Sequence, residues 1–435
     1  MKLFSFELDN FSTEEIFLSL HDKPYFVFLD GYDQTHPRSQ FGFMGFDPVK
    51  IYNPDTIEFD NIYNDFSKYK PMNSTHTLYP FTGGLMGFLS YEFGYQCHDS
   101  ENPFINQTKI PLFQFGLYQK IIAFDYKNNT KHLFITCETE TIAHTTYHEF
   151  IESIKIKPQG KNKSKQDVIY LKPDIEQDTY IASIKKIIHY IENGDIFQAN
   201  LAQQFSNNEE NTINIGDLYL KSRVQNSAPY SAYLNQNDFH ILSSSPECFL
   251  SLHDGILKTH PIKGTLPTTS NQTILENSIK DRAENIMIVD LMRNDFSKIC
   301  DDNSITVKKL CEIETFKNIH HMVSTVSGQL NQSKTIFDAL KACFPAGSIT
   351  GAPKIRAMEI IAELEKKPRN IFCGSIGYIS YNNNAEFNVA IRTLLITQNT
   401  IELWAGGGIT SLSNPQDEYD ETILKARKWH EILTT

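Results

Sequence analysis

Phe239-His-Ile-Leu-Ser-Ser-Ser-Pro-Glu-Cys-Phe-Leu-Ser-Leu252 and Thr259-His-Pro-Ile-Lys-Gly-Thr265 lie close together in the chain, and their apolar residues alternate as in strands. The alternation predicts that the two segments pair, which sets the amine of Lys263 beside the carboxyl group of Glu247, sixteen positions earlier. A nucleophile and a proton donor would then be neighbours. A lone lysine near a turn is more commonly a solvated charge, so its surroundings must decide.

Further strand-like runs follow at residues 232–234, 375–381, 386–396 and 400–405, with helical stretches near 276–300, 334–343, 353–366 and 415–433. Strands and helices mix without a regular βαβ repeat, so the fold class is α+β with large antiparallel sheets. Residues 1–154 form a β-rich region, with runs such as Tyr25-Phe-Val-Phe-Leu29 and Gly84-Leu-Met-Gly-Phe-Leu89. Residues 155–172 turn polar and basic, including Pro158-Gln-Gly-Lys-Asn-Lys-Ser-Lys165, and read as a surface linker to a second region, 173–435. That region opens on a helix with Ile181, Ile184, Ile187, Ile188 and Ile191 on one side and Gly194 as its left-handed stop.

With 435 residues, 40% of them hydrophobic and 21% charged, the chain has the composition of a soluble globular protein. Its formal charge of −12 argues against general binding to nucleic acid or anionic membrane. Acids arrive too early for a signal peptide and no stretch reaches the length of a membrane span, so a cytoplasmic location is expected. Seven scattered cysteines without a Cys-x-x-Cys pair suggest reduced core thiols, not a disulfide framework or a zinc site.

Asp281 and Glu284, three apart at the start of a helical run, place two carboxylates on one face, and Glu418 and Glu421 repeat the spacing. The second helix takes Asn414 or Ser413 as its cap and Pro415 in its first turn. Acids near helix starts commonly just answer the macrodipole. Two facing pairs would instead repel unless a cation lay between them, and Mg²⁺ is the natural hard ion for such oxygens. Phe344-Pro-Ala-Gly-Ser-Ile-Thr-Gly-Ala-Pro-Lys354 and Trp404-Ala-Gly-Gly-Gly-Ile409 offer small residues where backbone amides can approach a carboxylate, although glycine-rich turns are often only turns. Arg392 follows an apolar strand, where a cation is costly unless it meets an anion. His320 and His321 fit a structural role at least as well as a catalytic one.

Together these motifs resemble the chorismate-utilising enzymes, and within them the aminodeoxychorismate synthase branch. The resemblance spans nearly the whole chain, through Gly194-Asp-Ile-Phe-Gln-Ala-Asn200, Ser244-Ser-Pro-Glu247, Pro261-Ile-Lys-Gly-Thr265, the run from Ala283 to Asp295, His321-Met-Val-Ser324, Gly351-Ala-Pro-Lys354, Val389-Ala-Ile-Arg-Thr393 and Glu418-Tyr-Asp-Glu421. It implies two large antiparallel sheets packed as a sandwich with helices outside, and Mg²⁺ between the protein and the ring carboxylate of chorismate. Glu284 and Glu421 match the family's metal ligands, with Asp281 and Glu418 as supporting acids. Gly264, Thr265, Ser348, Phe372, Arg392, Gly406, Gly408 and Lys425 match substrate-binding positions, and His321 matches an active-site histidine.

The resemblance further implies that neutral Lys263 attacks C2 of chorismate while Glu247 protonates the departing C4 hydroxyl, and that ammonia then adds at C4 and expels the lysine. The product is 4-amino-4-deoxychorismate, for 4-aminobenzoate and folate synthesis. Anthranilate-forming relatives carry Ala where Lys263 stands, and water-adding relatives carry Lys where Gln198 stands. Phe372, Cys248, Leu266 and Leu412 depart from the family's frequent Tyr, Arg, Arg and Asp. No Gly-x-Cys-x-Gly turn surrounds a cysteine, so a separate glutamine amidotransferase subunit is expected to supply ammonia, and no fused lyase is expected after Thr435. The competing readings are anthranilate synthase component I and a non-catalytic chorismate-binding regulatory partner.

Overall fold

The computed structural model describes residues 1–8, 10–32, 36, 39–72, 78–155, 168–209, 213–316 and 319–435. Most of the linker expected at 155–172 lies outside the described residues. Its last residues bury Ile169 and Leu171 in the core and lead into a short strand, Lys172–Pro173, on the edge of a sheet.

Two antiparallel sheets dominate, one of 12 strands and one of 10, as the α+β reading expects. Both draw strands from either side of the linker: Val27–Asp30 pairs with Tyr230–Asn235 in the first sheet, and Gly84–Leu89 pairs with Ser375–Ser380 in the second.

Alternation along each strand explains the layering. Val27, Ile121 and Ala123 of the first sheet meet Met86, Phe88 and Tyr378 of the second in a core between the sheets. Their neighbours Phe28, Ile122 and Phe124 point the other way, onto helices that supply Phe17, Phe150, Tyr219 and Trp429. Leu85, Leu89 and Leu117 on the outer face of the second sheet are covered by Ile288, Met292, Phe296 and Phe337. The architecture is therefore helix, sheet, sheet, helix. Each fully buried large apolar side chain contributes roughly 1.5–3 kcal/mol through the area it removes from water.

Two features differ from the sequence reading. The run expected as one strand over 386–396 is two strands in different sheets: Ala385–Asn388 belongs to the second and Thr393–Thr397 to the first. Alternation continues through both pieces, so periodicity alone cannot reveal the crossing. The other difference concerns the opening segments. Cys248–His253 pairs with Ile256–Thr259 as a hairpin, but Lys263 lies beyond it, on the strand Ile262–Pro267, and pairs with Met322.

Candidate active site

Glu247 and Arg392 stand at two sheet-to-sheet crossings that run side by side. The chain leaves the first sheet after Phe239–Ser245 and enters the second at Cys248, while the segment from Asn388 to Thr393 crosses back. The crossings are laced by Val389 N–H to Glu247 O at 3.0 Å, Ser244 N–H to Arg392 O at 3.1 Å and Ser245 Oγ to Val389 O at 2.6 Å. Trp429 on the last helix donates its indole N–H to Arg392 O at 2.8 Å. Arg392 is held at φ 51°, a region a side chain adopts only under such constraint.

Burial favours the neutral form of both groups. Glu247 is 6% exposed, and desolvation raises its pKa against the opposing influence of Ser348 and Lys263. Desolvation lowers the Arg392 pKa, and its guanidinium has no hydrogen bond or ion pair among the described residues. A shielded cation in that state is a strong site for a carboxylate.

Lys263 approaches Glu247 from the edge of the second sheet. Between Lys263 and Thr265 the register slips by one residue, and Gly264 occupies the extra position at φ 74°. A Cβ there would lie 2.8 Å from Asp281 Cγ, so glycine is required for both conformation and space. Lys263 Nζ donates to Ser348 O at 3.2 Å and lies 3.7 Å from Glu284 Oε2. Beyond the bulge, Thr265 Oγ1 and His321 Nδ1 are 2.8 Å apart. Burial, followed by Arg392, pushes the His321 pKa down to about 4, so the ring is neutral near pH 7.

The strand Ile401–Ile409 lines the cleft with Gly406, Gly407 and Gly408. A Cβ at Gly408 would come within 2.3 Å of Gln198 Nε2 and 3.4 Å of Lys263 Nζ. Gln198 is fully buried, and neither of its amide atoms has a hydrogen-bond partner among the described residues. Polar atoms left in this way are rare unless a ligand or water meets them.

The acids sit on helices Ile279–Ser297 and Pro415–Thr434, with Glu284 reaching Lys263 and with Glu418 and Glu421 beside Gly407. Asn414 is the cap of the second, accepting from Gln416 N–H and Asp417 N–H, while Ser413 instead donates to Glu418 Oε1 at 2.6 Å. Glu418 also takes Lys280 at 3.1 Å, and Glu421 takes Lys425 at 2.6 Å. Desolvation raises the Glu284 pKa, and Asp281 and Glu418 add to the rise while Lys263 and Lys280 oppose it. Asp281 accepts Ser278 Oγ at 2.5 Å. Gly407 keeps the gap open: a Cβ on it would lie 3.2 Å from Glu418 Oε2 and 3.6 Å from Glu421 Oε1.

The donor set is all oxygen and suits a hard cation. Mutual repulsion at Glu284 is what such an ion would relieve. Among the described residues no group of three acidic, His or Cys side chains could hold an ion by itself, and lysines serve as the counterions, so a hard ion here would rest on one or two carboxylates and complete its shell with substrate oxygens and water.

Lys263, Glu247, Ser348, Glu284 and Gly408 thus meet in one place, with Thr265, His321 and Arg392 adjoining. Lys425 reaches Gly406 O at 2.8 Å. Phe372 stacks on Trp404 with centroids 5.8 Å apart, which gives the ring an apolar packing role. Sequence reasoning overlooked Lys280 and the carbonyl of Ser348. The Lys280 partner is 138 residues away, and a backbone acceptor leaves no mark in residue identity.

Residues 25–431 match the family model described as chorismate binding enzyme, and the chain belongs to that family. It is 32% identical to aminodeoxychorismate synthase component 1 of Salmonella typhimurium (strain LT2), over 96% of this chain and 95% of the relative. The protein of the same name from Escherichia coli (strain K12) is 37% identical, over 80% of this chain and 76% of its own. Among solved structures, anthranilate synthase component I from Streptococcus pneumoniae TIGR4 superposes with a TM-score of 0.80 at 31% identity, covering 91% of this chain and 93% of that one.

Proposed function

We propose that this chorismate-utilising enzyme is the aminating component of an aminodeoxychorismate synthase. The observation that carries the reading is the placement of Lys263. Its amine lies among Ser348 O, Glu284 and the open surface of Gly408, on the same cleft wall as buried Glu247. The similarity to two proteins named aminodeoxychorismate synthase component 1 supports it.

In this mechanism the neutral Lys263 amine attacks C2 of chorismate. The ring double bonds shift, the C4–O bond breaks, and Glu247 gives its proton to the departing hydroxyl, which leaves as water. A carboxyl group whose pKa is raised by burial suits that role. Ammonia then attacks C4, the double bonds shift back, and the C2–N bond to Lys263 breaks. The Glu247 carboxylate recovers the proton that the incoming ammonia sheds. Arg392 and Lys425 answer the two carboxylates of chorismate, and neutral His321 holds Thr265 in place. Mg²⁺ would be held by Glu284 and Glu421 with Asp281 and Glu418 beside them, supplying positive charge for a substrate carboxylate. Ammonia would come from a separate glutamine amidotransferase subunit, and the product would serve 4-aminobenzoate and folate synthesis.

Anthranilate formation is the second reading, favoured by the likeness to the streptococcal anthranilate synthase component I. Purified protein given chorismate, Mg²⁺ and excess ammonium separates the two. A product that aminodeoxychorismate lyase converts to 4-aminobenzoate supports the proposal, and anthranilate appearing without lyase refutes it.

A further inference from the structure

One buried ammonium closes the loop that carries Ser348. The loop connects helix Ile336–Cys343 to helix Lys354–Glu365. Lys354 Nζ donates to Cys343 O at 2.7 Å, which joins the residues flanking the loop, and to Asp295 Oδ2 at 2.8 Å. Lys354 is 6% exposed and Asp295 2%. Within the loop, Ser348 O accepts from Lys263 Nζ and from Asn200 Nδ2, the latter at 2.9 Å, and Ile349 O accepts from Arg369 at 3.2 Å. The loop also presses on the helix bearing Asp295, since a Cβ at Gly347 would lie 2.5 Å from Leu291 Cδ2.

That helix, Ile279–Ser297, carries Glu284 as well as Asp295. Both polar neighbours of the Lys263 amine, Ser348 O and Glu284 Oε2, are therefore referred to one rigid element. The Lys354–Asp295 contact fixes the loop to it.

We propose that Lys354 is a positioning residue of the reaction, acting through Asp295 and Cys343 to hold the Ser348 carbonyl that sets the Lys263 amine; its catalytic consequence rests on the amination reading above. The Lys354 ammonium is taken up by Asp295 and Cys343 O, and among the described residues it makes no hydrogen bond to Lys263, Glu247 or Glu284. Displacing a reacting group by about 1 Å can cost about 10²-fold in rate, so a loosened loop should lower turnover without abolishing binding.

Removing Asp295 would leave the Lys354 ammonium buried without its counterion, whereas removing Lys354 leaves Asp295 only the half-exposed Lys298 at 3.0 Å, so the informative variant removes both members of the buried pair, Lys354→Met with Asp295→Asn. Its melting temperature and circular dichroism establish that it is folded. The expected result is a kcat about 10²-fold lower with the KM for chorismate little changed, and an altered rate of Lys263 acetylation by acetic anhydride, followed by peptide mass spectrometry. Lys354→Arg, which keeps the charge, should recover most of kcat. Wild-type kcat in the folded double variant, a raised KM at unchanged kcat, or unchanged Lys263 acetylation would each overturn the proposal. Anthranilate from the wild-type protein would remove the amination reading alone, because the acetylation comparison does not depend on the product.

Discussion

At the scale of single residues, the central arrangement is an amine and a buried carboxyl group aimed into one cleft. Desolvation raises the Glu247 pKa, which keeps its proton available to higher pH than an exposed glutamate would. In the proposed mechanism the acid must be protonated for the first step, so the rate should fall as pH rises through that raised pKa. Glu247→Gln should lower kcat by about 10²–10⁴-fold and remove the alkaline limb of the pH profile. An unchanged limb in the variant would assign it to another group. Lys263 and Glu247 were legible in the sequence as residue types in a motif, but their geometry was not. The pairing expected between their segments fails because the Lys263 strand pairs with Ile319–Gln329, and Glu247 occupies a crossing between sheets.

At the scale of elements, the glycine strand and the two acid-bearing helices make separable contributions. A Cβ at Gly406 would lie 2.2 Å from the backbone oxygen of Leu201, whereas at Gly408 it would meet the end of the Gln198 side chain. Gly406→Ala should therefore lower the melting temperature more, while Gly408→Ala should chiefly impair turnover by displacing Gln198 and crowding Lys263. Equal melting temperatures for the two variants would contradict this division. Glu421→Gln should raise the Mg²⁺ concentration giving half-maximal activity by roughly tenfold or more, and an unchanged titration would count against its ligand role. The acid spacing and the helix capped near residue 414 were readable because both are local patterns. The lysine counterions were not, because Lys280 and Glu418 meet only through tertiary packing.

For the whole molecule, alternation and helical periodicity sufficed for the α+β class, but not for the order of strands. Residues on both sides of the linker alternate in the same way, so nothing local shows that strands near 27 and 84 join sheets built mostly from later sequence. Long-range buried polar contacts now tie these parts together. Glu92 is 1% exposed and accepts from Arg369 N–H at 2.7 Å and Asn370 N–H at 3.4 Å. Burial pushes its pKa up from 4.5 to about 7. Because the folded-state value is raised, the stability from its protonated form is fully present below about pH 4.5 and is lost as pH rises through about 7. The shift corresponds to roughly 3 kcal/mol. Glu92→Gln mimics the protonated group, so its melting temperature relative to the wild type should rise between about pH 5 and pH 8. A difference constant across that range would refute the assignment.

The most direct test of the account is peptide mass spectrometry of the protein quenched after incubation with chorismate and Mg²⁺ in the absence of ammonia. The expected result is a mass gain of one chorismate less one water on the peptide containing Lys263, discharged by added ammonium and absent from Lys263→Ala, whose turnover should fall by about 10³-fold. An unmodified Lys263 in protein that still aminates chorismate at C4, or undiminished turnover by Lys263→Ala, would contradict it.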